Sequence, residues 1–180
     1  MLRFIIPAHN EERLIGATIE ALHAAARACG EPYEIIAVDD DSTDATAEAA
    51  VRAGARVVSV KARQIAAVRN AGAREACGGR FVFVDADTIM TPAALRDVIA
   101  AFAGGAVGGG APVRFDSPVP LWGRVGIGFW LMVQRVAGLA SGCLLFATRE
   151  AFEACGGFDP GLFVAEDVEL SRRLRQQGRF

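Results

Sequence analysis

Short apolar runs alternate along the chain with amphipathic stretches at helical spacing. Phe4-Ile5-Ile6 is the first run, followed by the turn Pro7-Ala8-His9-Asn10. Glu11-Glu12 then opens a predicted helix, with Asn10 as its N-cap and the acidic pair suited to the positive end of the helix dipole. Leu14, Ile15, Thr18, Ile19 and Leu22 keep one apolar face until Gly30 and Pro32 end the helix. Tyr33 to Val38 repeats the pattern as a second strand. It runs into Asp39-Asp40-Asp41-Ser42-Thr43-Asp44 before an alanine-rich helix from Ala45 to Ala53. Arg56 to Val60 reads as a third strand and Gln64 to Ala76 as a third helix. Phe81 to Val84, between Gly78-Gly79 and Pro92, reads as a buried strand. Strands alternating with helices of this length imply crossover units and a mostly parallel sheet, an α/β fold.

Composition supports one core. With 180 residues, 52% of them hydrophobic, the chain is long enough for a single domain, which at this size buries roughly two-thirds of its unfolded surface. The net charge of −2, with 19 basic and 21 acidic residues scattered over both halves, declares no basic face and argues against nucleic acid as a partner. The four cysteines stand far apart, without Cys-x-x-Cys spacing or a histidine cluster, which argues against zinc and against a disulfide framework. A reduced, cytoplasmic protein is expected. Leu2 to Ile6 is too short an apolar run for an export signal and is broken by Pro7.

The candidate chemistry sits at the predicted strand ends. In open α/β sheets ligands bind outside the carboxyl ends of the strands, and Asp39, Asp40, Asp85 and Asp87 all fall there. Several carboxylates converging on one edge repel one another unless a cation or a donor-rich ligand is present. Asp85-Ala86-Asp87 suits a hard divalent cation held by one or two carboxylates plus substrate phosphates; an exposed loop pair or a helix cap is the plain alternative. A dinucleotide-binding Rossmann domain would need Gly-x-Gly-x-x-Gly after the first strand, and Pro7 to Glu11 holds no glycine. A P-loop is excluded on the same ground. Gly104-Gly105 and Gly108-Gly109-Gly110 read as a turn and a glycine-weakened strand.

Five blocks in order, Phe4 to Glu12, Val38 to Asp44, Arg69-Asn70-Ala71-Gly72, Val84 to Asp87, and Gly156-Gly157-Phe158-Asp159 with Ala165 to Leu170, resemble the motifs of family-2 glycosyltransferases. The resemblance implies a GT-A fold in one domain over 1–180, with a nucleotide-sugar-binding half at 1–113 and an acceptor-side half at 114–180. It implies a metal-dependent, inverting transfer of a sugar from a nucleotide diphosphate to a hydroxyl acceptor. By position, Pro7, Ala8 and Glu11 would line the nucleotide pocket, Asp39 would accept a hydrogen bond from the base, and Asp40 would support that turn. Arg69 would reach the base or diphosphate, Asp85 the ribose or a metal-bound water. Asp87 would ligate Mn2+ or Mg2+, and Asp167 would be the general base. A UDP-sugar is modestly preferred over a GDP-sugar, because an aspartate suits an imide N–H.

The chain departs from that pattern in two places. Asp41 stands where the family often has glycine or another small residue; aspartate tolerates left-handed turns better than most residues, so a local adjustment is expected there. Arg179-Phe180 reads as the start of a further strand, where relatives continue, so a C-terminally shortened domain is expected. Glu166-Asp167 also reads simply as a helix N-terminus, with Val168, Leu170 and Leu174 as its apolar face. Leu121 to Leu145 carries Trp122, Phe129, Trp130 and Met132 between Arg124 and Arg135. Its uncharged run is too short for a membrane span, which needs about 20 residues. Two readings stay open, a buried helix or an interfacial one that brings the protein to the inner face of a membrane and a lipid-linked acceptor. A non-catalytic nucleotide-sugar-binding domain is the alternative function. A sugar nucleotidyltransferase is disfavoured, because Pro7 to Glu12 offers no glycine-rich basic loop for a triphosphate.

Overall fold

The computed structural model describes residues 1–111, 120, 132, 140 and 143–180. Strand β1 (Leu2–Ala8), helix α1 (Ile15–Cys29), β2 (Tyr33–Asp40), α2 (Thr46–Arg52), β3 (Arg56–Val60), α3 (Ile65–Glu75), β4 (Arg80–Val84) and α4 (Pro92–Ala103) follow one another as the hydrophobic pattern predicts. Then come β5 (Gly108–Gly110), β6 (Leu144–Thr148), α5 (Arg149–Ala154) and α6 (Glu166–Gln177). The six strands form one sheet in the order β3-β2-β1-β4-β6-β5. The first four are parallel, while β6 pairs antiparallel with β4 and β5 antiparallel with β6. The sheet is thus mixed, with its antiparallel part at one edge.

Strand alternation splits the core into two layers. Leu2, Phe4 and Ile6 of β1, with Ile35 and Ala37 of β2, pack on one face against Ile15, Ile19 and Leu22 of α1 and Leu95 and Val98 of α4. Ile5, Ile36 and Val38 pack on the other, with Val68 of α3, Phe152 of α5 and Leu170 and Leu174 of α6. Phe81, Phe83, Phe152 and Phe158 meet there edge-on or tilted, with ring centroids 5.0–6.1 Å apart. Gly72 sets how close α3 comes to the sheet, because a Cβ there would run into Ile5 and would stand 2.8 Å from Cγ2 of Val38.

Local endings mostly follow the sequence. Gly30 caps α1 in the left-handed region at φ 67°, and the side chains of Gln64 and Thr91 cap α3 and α4. Asn10 does not cap α1. That helix begins at Ile15 without a side-chain cap, and Asn10, at φ 56°, instead accepts the amide of Thr43 at 2.8 Å. A partner distant in sequence won over the local one. Arg179 bridges in parallel to Ala106, and its carbonyl accepts the amide of Val107 at 2.7 Å, so the chain does begin to pair again near residue 179. All four cysteines are free thiols. Leu121 to Leu145 lies almost wholly outside the described residues. Among the described residues no helix is long and apolar enough to cross a membrane.

Candidate functional site

A cleft of about 500 Å³ opens over the carboxyl ends of β1 to β4. The first strand and its loop give it Pro7, Ala8, His9 and Glu11, and β2 gives Asp40. Arg63, Gln64, Ile65 and Val68 come from the start of α3 and the loop before it, and Asp85, Ala86 and Asp87 from the turn after β4. Five of the expected residues besides Asp40 thus come together here: Pro7, Ala8, Glu11, Asp85 and Asp87.

Two loops are stitched to each other to make the rim. Asn10 N–H donates to Oγ of Ser42 at 3.0 Å, Glu11 N–H to Oγ1 of Thr46 at 2.8 Å, and Glu12 N–H to Oδ2 of Asp44 at 3.2 Å. In return the amide of Ala45 donates to Oε2 of Glu12 at 3.0 Å. Ser42, Thr43 and Asp44 therefore serve the loop pair. The Thr46 hydroxyl bonded to Asp44 holds that carboxyl below its usual range. His9 shapes the turn, with Nδ1 2.7 Å from the carbonyl oxygen of Asp40. Asp41 adopts a left-handed conformation, at φ 55°. Its carboxylate takes Arg63 at 2.7 Å and Lys61 at 3.0 Å, and the hydrogen bonds from Arg63 and Lys61 hold it below the usual carboxylate range. Among the described residues the non-glycine positions of positive φ are Asn10, Asp41, Arg63 and Ala165. The first three lie at this rim and the fourth caps α6; backbone strain of this kind concentrates at functional sites.

The aspartate pair after β4 is held by its neighbours. Thr18 of α1 donates its hydroxyl to the carbonyl of Ala86 at 2.7 Å, and the amide of Asp85 donates to the carbonyl of Cys143 at 3.2 Å. Glu11 faces this pair. Burial first, and then the charges of Asp87, Asp44 and Asp85, push its carboxyl above the usual range. That concentration of negative charge is what a divalent cation relieves. Among the described residues no three His, Cys, Asp or Glu side chains are grouped to hold a metal by themselves. This fits a hard cation bound through one or two carboxylates and completed by the phosphates of a ligand.

Three expected residues, Asp39, Arg69 and Asp167, lie outside the cleft lining. Asp39 does not line the cleft. It follows Ile35 and Ala37 to the α1 side of the sheet, where its Oδ1 is buried without a hydrogen-bond donor among the described residues. Asp40, on the Ile36 and Val38 side, is the one that lines the cleft. Its Oδ1 accepts the amides of Ala62 at 2.7 Å and Arg63 at 3.1 Å, which fixes the start of the loop before α3. Arg69 is only 5% exposed and lies beneath the cleft rather than in it. Its Nη2 donates to Oδ1 of Asp85 and its Nη1 to Oε1 of Glu166, both at 2.7 Å. Asp167 stands half-buried in the first turn of α6, one residue beyond Glu166, and its Oδ1 accepts the amide of Val168 at 2.7 Å. Arg63, Gln64 and Glu166 had not been expected. Arg63 and Gln64 were open to the same strand-end rule that picked out the aspartates, since they follow β3. Nothing local marks Glu166 as the partner of Arg69.

The sequence profile of glycosyl transferase family 2 matches residues 4–152. Among curated proteins, the undecaprenyl-phosphate 4-deoxy-4-formamido-L-arabinose transferase of Pseudomonas paraeruginosa (strain DSM 24068 / PA7) is 34% identical over 172 residues, covering 86% of this chain and 50% of the relative. The chain thus spans half the length of that relative. Among solved structures, the mannosyltransferase PcManGT from Pyrobaculum calidifontis, in complex with GDP-Man and Mn2+, superposes with a TM-score of 0.78 at 22% identity, over 99% of this chain and 52% of that one. TarS 1-349 of S. aureus gives 0.70 at 20% identity, over 96% and 54%. At such identities the likeness establishes the GT-A fold alone.

Proposed function

Because the chain belongs to glycosyl transferase family 2, we propose that it moves a sugar from a nucleotide diphosphate to an acceptor oxygen with help from Mn2+ or Mg2+. The observation that carries this reading is the cleft over the strand ends, in which burial first, and then the charges of Asp87, Asp44 and Asp85, push up the carboxyl of Glu11. The nucleotide lies along Pro7, Ala8 and Glu11. Asp39 and Asp40 are both buried at the end of β2. Oδ1 of Asp40 is already taken by the amides of Ala62 and Arg63, whereas Oδ1 of Asp39 has no partner among the described residues, which supports Asp39 as the acceptor of a base N–H and Asp40 as the support of that turn. Asp87, with Asp85 beside it, holds the cation, which when bound stabilises the charge growing on the departing diphosphate. Asp85 is itself held by Arg69.

In the transfer the acceptor oxygen forms a bond to the anomeric carbon while the bond from that carbon to the diphosphate breaks, and the nucleoside diphosphate leaves. One such displacement inverts the anomeric centre. With a hydroxyl acceptor, Asp167 takes the proton. The names of the relatives support a polyprenyl phosphate as the acceptor. A phosphate monoester, with a second pKa of about 6, is already largely ionised at neutral pH and needs no such base. This makes Asp167→Ala informative. Transfer to a hydroxyl should fall by about 10²- to 10⁴-fold, whereas transfer to undecaprenyl phosphate should fall far less, both measured with the same nucleotide sugar.

Calorimetric titration with UDP and with GDP, each with and without Mn2+, tests the donor side first. Metal-dependent binding of one nucleotide is expected, UDP before GDP. A folded protein that binds neither overturns the reading. Binding without transfer to any acceptor makes the chain a nucleotide-sugar-binding module instead.

A further inference from the structure

Helix α3 reaches the C-terminal segment through three of its side chains, all far from it in sequence. Gln64 donates to the carbonyl of Leu162 at 2.6 Å. Asn70 closes a pair of bonds with the backbone of Phe158, donating to its carbonyl at 2.8 Å and accepting its amide at 2.9 Å. Arg69 does something different, because it has partners on both sides. One guanidinium nitrogen holds Asp85, beside the proposed cation site, and the other holds Glu166, the first residue of α6. The guanidinium lies 5.3 Å from the centre of the Phe158 ring, which the Asn70 bonds fix in place. Its Nε is buried with no acceptor among the described residues, so the group is held by the fork and the ring.

Geometry and charge agree about what this arrangement does. A planar guanidinium with two donors in fixed relation sets the angle and spacing between the carboxylates it joins, which a lysine ammonium cannot do. Glu166 is 7% exposed, and its charge is compensated through Arg69; removing one member of a buried pair leaves the other charge stranded. Ala165, at φ 63°, enters α6 through a conformation that costs free energy for a residue with a Cβ. The Arg69–Glu166 bond sits one residue beyond that strained position and holds the first turn against it.

We propose that Arg69 is a positioning residue, a clasp that fixes the carboxylate of Asp85 and the first turn of α6, with Asp167 on it, in one geometry. The inference rests on the reading of the cleft as a donor site and of Asp167 as an acceptor-side residue. Arg69 touches neither substrate. It couples the two sides of the reaction through a single side chain, and it replaces the direct base or diphosphate contact that the family resemblance implies for it.

Amide hydrogen exchange in the metal-free protein tests the clasp without any ligand. Arg69→Gln should speed exchange at residues 168–171, the first amides of α6 that have acceptors, by about tenfold, while amides of β1 and β4 stay within about twofold of the parent. Glu166→Gln, nearly isosteric and able to fold where Arg69→Gln does not, should give the same local rise. The double variant should exchange no faster than either single, since both substitutions break one interaction. The proposal is overturned if exchange at 168–171 is unchanged, if it rises equally in β1 and β4, or if the two effects add. A second measurement separates the arms of the fork. Calorimetry with UDP and Mn2+ should show affinity about tenfold weaker in Arg69→Gln and within about twofold of the parent in Glu166→Gln, because only the first frees Asp85. Equal loss in both, or loss in neither, also overturns the clasp. If the parent binds neither UDP nor GDP with Mn2+, the donor reading fails and the exchange experiment alone decides the clasp.

Discussion

The two ends of the same four parallel strands carry charge in opposite ways. At the amino end, Arg3 pairs with Glu34 at 2.6 Å, Glu34 with Arg56 at 2.9 Å, and Arg56 with Glu75 at 3.4 Å, a chain in which acid and base alternate. Arg3 also donates to the carbonyl of Cys77. At the carboxyl end, Glu11, Asp40, Asp85 and Asp87 line the cleft with His9 and one arginine, Arg63, which is already paired with Asp41, while buried Arg69 holds Asp85. One end answers its charges within the chain. At the other, burial first and then the neighbouring carboxylates push up the carboxyl of Glu11. The two ends thus differ in how far the chain's own bases answer its acids, and the acid-rich end is where the cation is proposed to bind.

Substitutions at the two ends should therefore separate binding from stability. The largest expected effect is at the cleft, where Asp87→Ala should weaken Mn2+-dependent UDP binding by about 100-fold or more, about 3 kcal/mol, with the melting temperature unchanged or raised. A large fall in melting temperature would mean that Asp87 serves the fold. Gly72→Ala comes next. It pushes α3 off Ile5 and Val38, and should cost about 1–3 kcal/mol of stability, as overpacking does, measured by urea denaturation. Because α3 carries Arg69, UDP binding should weaken with it. At the amino end Glu34→Gln should cost roughly 1 kcal/mol, more than a surface pair because Arg3 is buried, and should leave UDP affinity untouched. Any change in affinity there would break the contrast between the ends.

The smallest effect is one of sign. Glu11 has a folded-state pKa above its unfolded value, so its contribution to stability is intact below the unfolded pKa and is lost as pH rises through the folded one. Glu11→Gln should therefore stabilise the metal-free protein at neutral pH and do nothing in acid. Thermal melts at both pH values check this, and saturating Mn2+ should shrink the difference at neutral pH.

The parts of this molecule that depend on period and neighbours were legible in the chain. The bounds of β3 and the glycine that ends α1 could both be read from local residues. The strand ends also located the cleft. What the reading lost were partners distant in sequence. Asn10 looked like a helix cap until the amide of Thr43 claimed it, and Arg69 looked available for a ligand because Glu166 lies 97 residues away. Asp39 and Asp40 are a different case. Strand parity, with Ile36 and Val38 on one face and Ile35 and Ala37 on the other, already assigns the two aspartates to opposite sides of the sheet.

The seam between α3 and the C-terminal segment also bears on the order in which the protein is made. Its side-chain bonds join residues separated by 88, 97 and 98 positions. Contacts of such span carry the greatest loop-closure cost and form late. On the ribosome, β1 to β4 and their helices can emerge and pack while Glu166 has yet to be added to the chain. The clasped geometry then forms after the first four strands have packed, and a nascent chain passes through a stage with those strands paired and an open, unfinished cleft.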